Sequence, residues 1–162
     1  MSLALGIDPG TAATGFGLIE RDRDGLQLMD YGVIRTSPKR TPPQRLLEIH
    51  ARVGELIERH RPTEVVVEKI FLGRNASSAM AVGQARGVVL LAAGQAGVAV
   101  YEYNPQQVKQ AVAGYGQATK EQIQEVLRDS LDLPEPPRPH HAADAIAVAL
   151  CHFHTSRLSF PA

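Results

Sequence analysis

Three carboxylates and a pair of histidines are the residues whose types and placement could do chemistry. Asp8 ends the apolar run Leu3-Ala4-Leu5-Gly6-Ile7 and precedes Pro9-Gly10. Glu68 follows three consecutive valines, Val65 to Val67, and Asp144 follows His140-His141-Ala142-Ala143. Residues three or four apart share a helical face, so Asp144 can line up with His140 or with His141, and spacing leaves that choice open. Each acid alone has an ordinary role: a turn aspartate bonding its own backbone, a solvated strand end, a carboxylate complementing a helix N-terminus. Together, carboxylate oxygens and an imidazole at the ends of apolar elements form the donor set that Mg²⁺ or Mn²⁺ prefers. A Cys/His tetrad for structural zinc is absent. His152 and His154, flanking Phe153, read as surface histidines, and Cys151 as a buried small residue without a base partner.

The elements that must position these groups follow from hydrophobic periodicity and turn chemistry. Leu3–Ile7, Phe16–Ile19 and roughly Leu26–Thr36 read as three antiparallel strands, punctuated by Pro9-Gly10-Thr11 and Asp24-Gly25. Thr41 caps a helix that opens with Pro42-Pro43, carries Leu46, Ile49, Val53, Leu56, Ile57 and His60 at helical spacing, and stops before Pro62. Residues 64–68 form a β-branched strand, too apolar in its middle to lie at an exposed edge. A helix from about Asn75 to Gln95 is rich in alanine and glycine, and its glycines, costly in a helix, suggest close approach of another backbone. Val98–Tyr103 is a strand, Asn104-Pro105 starts a helix, Thr119-Lys120-Glu121-Gln122 is a capping box for the next, and Leu133–Pro139 is a rigid connector before a final helix over 140–154. The expectation is a mixed α/β domain, one sheet with helices on both faces.

Composition bounds the answer. At 162 residues, 44% hydrophobic and 21% charged, the chain is one globular domain's worth. No apolar run reaches the ~20 residues that cross a bilayer, and the N-terminus lacks the basic flank and cleavage site of a signal peptide. A single cysteine fits a reducing cytoplasm. Net charge is zero, so bulk charge advertises no polyanionic partner, although residues 69–128 hold six Lys and Arg against three acids.

Five blocks in register carry a resemblance: Gly6-Ile7-Asp8-Pro9-Gly10-Thr11 with Thr14-Gly15-Phe16-Gly17; Val67-Glu68-Lys69-Ile70-Phe71 with Asn75; Gly83-Gln84-Ala85-Arg86-Gly87; Gln107-Val108-Lys109-Gln110; and His141-Ala142-Ala143-Asp144-Ala145. In this order, over nearly the whole chain, they resemble the RuvC-type Holliday junction resolvases. The resemblance implies a ribonuclease H-like fold with a five-stranded mixed sheet, spanning residues 1–157 with a short tail at 158–162. It implies a cytoplasmic homodimer that nicks two opposed strands of four-way junction DNA in recombination and repair, leaving 5′-phosphate and 3′-hydroxyl ends. Cooperation with the RuvA–RuvB branch-migration complex is implied too, without membrane or nucleotide cofactor. By position the metal-binding catalytic set is Asp8, Glu68, His141 and Asp144. Histidine stands at the third position, where other members carry aspartate, and the alignment selects His141 over His140.

Two Mg²⁺ or Mn²⁺ ions about 3.5–4 Å apart would activate water and stabilise the leaving oxygen. Asp8 is expected to bridge them, Glu68 to complete one shell, and His141 with Asp144 the other. Lys120 matches a family lysine near the scissile phosphate. Phe71 matches an aromatic that stacks on a base near the branch point, worth about 1–3 kcal/mol. Arg74, Asn75, Arg86 and Lys109 are candidates for DNA contact, with a solvated surface charge the ordinary role of each basic residue. The small-residue helix is the expected dimer contact, with part of it packing on its own sheet. The rivals are a pre-ribosomal RNA nuclease of the same fold, a two-lobed ATPase that 162 residues are too few to build, and a non-catalytic junction-binding module.

Overall fold

Alternating strand residues sort into two faces, and each face buries against its own helices. The computed structural model describes residues 1–69 and 76–156. Five strands, β1 (Ser2–Asp8), β2 (Ala13–Arg21), β3 (Leu26–Arg35), β4 (Glu64–Glu68) and β5 (Ala99–Tyr103), form one sheet in the order β3-β2-β1-β4-β5. The first three pair antiparallel, whereas β4 runs parallel to β1 and to β5. The expected sheet is therefore present, with β4 in its interior.

Leu5, Ile7, Leu18, Val65 and Val67 point to the face covered by helices α1 (Pro42–His60) and α2 (Ala76–Ala96), joining Ile49, Val53, Ala85 and Val89. Ala4, Ile19 and Val66 point to the opposite face, where helices α3 (Pro105–Ala113), α4 (Lys120–Ser130) and α5 (His140–Ser156) supply Val108, Leu127, Ile146, Leu150 and Phe153. The helix starts expected at Thr41, Asn104 and Thr119 all carry capping boxes, with Gln44, Gln107 and Gln122 returning the bond.

Helix α5 lies against β1 and β2 because those strands present glycine where it passes. A Cβ on Gly6 would stand 2.1 Å from the Ala145 carbonyl oxygen, and one on Gly15 only 1.8 Å from that of His141. No side chain fits there, so the missing Cβ is what lets the helix dock.

The α2 glycines Gly87 and Gly94 have nothing of this chain within 4 Å of where a Cβ would stand. Two expectations are corrected. His152 is buried, not a surface residue, because Tyr103 and Glu64 give its ring nitrogens partners. And α2 is long and apolar enough to cross a bilayer; Gln84, Arg86 and Gln95 interrupt the run that sequence reading sought, while Ala85, Val89, Ala92 and Ala93 are buried against the sheet and α1. The expected boundary at residue 157 lies outside the described residues.

Candidate active site

Strand pleating places the first two acids. Leu5 and Ile7 face α1 and α2, so Gly6 and Asp8 face α5. Val65 and Val67 likewise leave Val66 and Glu68 on the α5 face. Ile7 pairs with Val67, so Asp8 and Glu68 are the next residues along two neighbouring parallel strands, whose backbones run about 4.8 Å apart. On its other side Asp8 pairs with Gly15, and over Gly15 passes the backbone of His141. Packing brings His141 Nδ1 to 3.4 Å from Asp8 Oδ2. Asp144 feels both histidines, His141 more than His140.

Burial raises all three acids. Burial, and then the like charge of Asp144, raises Asp8 from 3.8 to about 6, against the lowering effect of His141 and Lys120. Glu68 rises from 4.5 to about 7 through burial and then through Asp8 and Asp144. Asp144 is also raised, by burial, with Lys120 and His141 opposing. Buried carboxyls whose proton affinity is raised in this way form an acidic cluster that a nearby positive charge would stabilise. Among the described residues no three His, Cys, Asp or Glu side chains stand close enough together to hold a metal ion as they are arranged here. The donor chemistry, three carboxylates with one imidazole, fits a hard divalent ion.

Beside the cluster opens a cleft of about 280 Å³ lined by Glu68, Asp144, Lys109, Lys120, Thr119 and Pro105. The capping boxes explain the lysines' placement: Asn104 starts α3, which presents Lys109, and Thr119 starts α4, whose first residue is Lys120. Lys120 acts electrostatically on all three acids, and Lys109 on Glu68 and Asp144. Of the other expected DNA contacts, Arg86 is held by Glu102 of β5 in a part-buried ion pair, its Nε buried without a partner; its guanidinium ties α2 to the sheet rather than standing free in solvent. Phe71, Arg74 and Asn75 lie outside the described residues. Sequence reading gave no role to Gly15, Tyr103 or His152. Gly15 had a signal within the Thr14-Gly15-Phe16-Gly17 block, whereas the other two had only burial, which is not visible in sequence.

A mixed sheet in this strand order, helices on both faces, and acids gathered where β1 and β4 end define a ribonuclease H-like nuclease. The chain belongs to the RuvC family: the family described as crossover junction endodeoxyribonuclease RuvC matches residues 4–152. Proteins of that name from Chloroflexus aggregans and Desulfitobacterium hafniense are 52% and 54% identical, covering 94% and 96% of this chain and 93% and 94% of their own. Thermus thermophilus RuvC in complex with Holliday junction substrate superposes with a TM-score of 0.92 at 44% identity, over 98% of this chain and 96% of that one. The yeast mitochondrial Holliday junction resolvase, at 11% identity and a TM-score of 0.64, shares the fold. The chain is thus a crossover junction endodeoxyribonuclease by family, and such membership implies dependence on a divalent metal.

Proposed function

We propose that this chain resolves four-way DNA junctions as a homodimer, with Asp8, Glu68, His141 and Asp144 as its metal ligands and catalytic set. The observation that supports the reading is that β1, β4 and α5 carry three buried, raised carboxyls and His141 to one end of the sheet, beside a cleft bearing two lysines. Asp8, between Glu68 on one side and His141 on the other, is suited to share two ions, Mg²⁺ or Mn²⁺. When bound, these supply an activated water and neutralise charge at the leaving 3′-oxygen. The protein's own part is to orient the strand and balance charge. Lys120 is suited to the developing negative charge of the phosphate, and Lys109 to holding the backbone at the cleft mouth. Phe71, with Arg74 and Asn75, is assigned to the branch point, the aromatic by base stacking.

The homodimer reading is supported by α2. Its outward line Met80, Gln84, Gly87, Leu91 and Gly94 is exposed, with Met80 at 69% and Leu91 at 55%. An apolar stripe of this kind at heptad-like spacing suits a two-fold contact. Two related sites then match two opposed strands of a junction. The reading places the enzyme in the cytoplasm, beside a branch-migration motor of the RuvA–RuvB kind.

The test incubates the protein with a mobile four-way junction, a linear duplex and structured RNA, each with Mg²⁺ or Mn²⁺. Symmetric nicks confined to the junction, with 5′-phosphate ends, are expected. RNA trimming would displace the reading in favour of an RNA nuclease, and binding without cleavage in favour of a non-catalytic module.

A further inference from the structure

The helix that carries His141 and Asp144 is anchored twice, and the two anchors differ in kind. At its start, backbone meets backbone over Gly6 and Gly15. Two turns beyond Asp144, His152 makes the second anchor through hydrogen bonds. Its Nδ1 lies 2.8 Å from the Tyr103 hydroxyl, and its Nε2 lies 3.4 Å from Glu64 Oε1. The ring is 4% exposed and packs against Tyr101, with centroids 4.6 Å apart. A carboxylate only accepts, so Nε2 carries the proton and Nδ1 accepts from the tyrosine. The neutral imidazole therefore has both nitrogens satisfied by two different strands.

Those strands matter to the site. Glu64 begins β4 and Glu68 ends it, both on the α5 face. Tyr103 is the residue of β5 that pairs with Glu68, and its carbonyl accepts from the Lys69 amide at 2.8 Å. One side chain of α5 thus grips the start of β4 and the β5 residue beside Glu68. A small slip of α5 along the sheet would separate Glu68 from His141 and Asp144, and hydrogen bonds resist slip more sharply than apolar packing because they are directional.

We propose that His152 is a positioning residue of the nuclease. Through Tyr103 and Glu64 it holds α5 in register with β4 and β5, setting the separation of Glu68 from Asp144 and so the tightness with which divalent ions are held. This rests on the assignment of Asp8, Glu68, His141 and Asp144 as ion ligands.

The experiment uses the full-length chain carrying Tyr103→Phe, which deletes one hydroxyl, or His152→Asn, which keeps an amide oxygen near the Nδ1 position, with His152→Leu as the variant that lacks any acceptor. Thermal unfolding, Mn²⁺ binding to the DNA-free protein by electron paramagnetic resonance, and single-turnover junction cleavage across a Mg²⁺ series are measured for each. Tyr103→Phe is expected to unfold within about 4 °C of wild type, to bind Mn²⁺ about three- to tenfold more weakly, and to regain its cleavage rate at high Mg²⁺. His152→Asn is expected to bind Mn²⁺ more tightly than His152→Leu. Wild-type Mn²⁺ affinity in folded Tyr103→Phe overturns the proposal, whatever the unfolding temperature does. Glu68→Gln separates the two readings: if it binds Mn²⁺ like wild type, the ligand assignment fails, whereas weak binding there beside an unaltered Tyr103→Phe refutes the positioning role alone.

Discussion

His141 Nδ1 lies 3.4 Å from Asp8 Oδ2 although 133 positions separate the two residues. The contact exists because Asp8 pairs with Gly15 and the His141 backbone passes where a Gly15 side chain would be. It couples the two ends of the chain at the point where the chemistry is proposed to occur, and it makes the site sensitive to charge, to pH and to the smallest steric change beneath α5.

Asp8→Asn keeps the shape of the side chain and removes its charge. Cleavage of a four-way junction should fall by about 100-fold or more, while junction affinity measured by gel shift in EDTA stays within about threefold, since the phosphate backbone supplies most of it. Binding lost in parallel with cleavage would reassign Asp8 to folding.

The raised carboxyls set the sign of a pH effect. Asp8 titrates near 6 and Glu68 near 7 in the folded protein, against ordinary values of 3.8 and 4.5. Between those limits the folded state binds more protons than the unfolded chain, so stability falls as pH rises from about 4 to about 7. Urea unfolding in EDTA should show this decline, and Mg²⁺ at pH 8 should recover the loss by binding only the folded form. Stability that climbs with pH over this range would contradict the cluster.

Gly15→Ala tests the docking of α5. The added carbon has no room beside the His141 carbonyl, and overpacking against backbone should destabilise by about 3 kcal/mol and depress cleavage together with Mn²⁺ binding. Gly54→Ala in α1, where nothing lies within 4 Å of the new carbon, should instead stabilise by about 0.5–1 kcal/mol. Chemical denaturation of the pair distinguishes steric conflict from a general intolerance of substitution.

Lys120→Ala removes the cation that acts on all three acids. Single-turnover cleavage at saturating junction should drop about 10²-fold, with junction affinity changed far less. An equal loss in both would make Lys120 a binding contact only.

Leu91→Glu places a charge in the exposed stripe of α2. Light scattering should report a monomer, and paired nicking should become uncoupled while the unfolding temperature changes little. A dimer that survives the substitution would move the contact to another face.

Much of this molecule can be read from sequence because its signals are local. Val65-Val66-Val67 between two glutamates specifies a buried strand, and Thr41, Asn104 and Thr119 with glutamine three residues on specify helix starts. Five ordered motif blocks specify the family. What stayed out of reach depended on contacts between distant segments. His152 carries no mark separating a surface histidine from a buried one until Tyr103 and Glu64 are brought to it. Nothing near Arg86 in the sequence marks Glu102 as its ion-pair partner, and only packing of α2 on β5 brings the two together.

The sequence by itself determined the inventory: which acids, which imidazoles, which capped helices and which glycines, because side-chain chemistry and backbone preference belong to single residues and their near neighbours. The motif blocks point to His141 over His140, but tertiary structure alone brought His141 to Asp8, buried the three acids so that their proton affinity rises, and tied α5 to the strand bearing Glu68. Those outcomes follow from burial and from distances of a few ångströms between residues far apart in the chain, and such distances come into being only when the sheet and its helices pack.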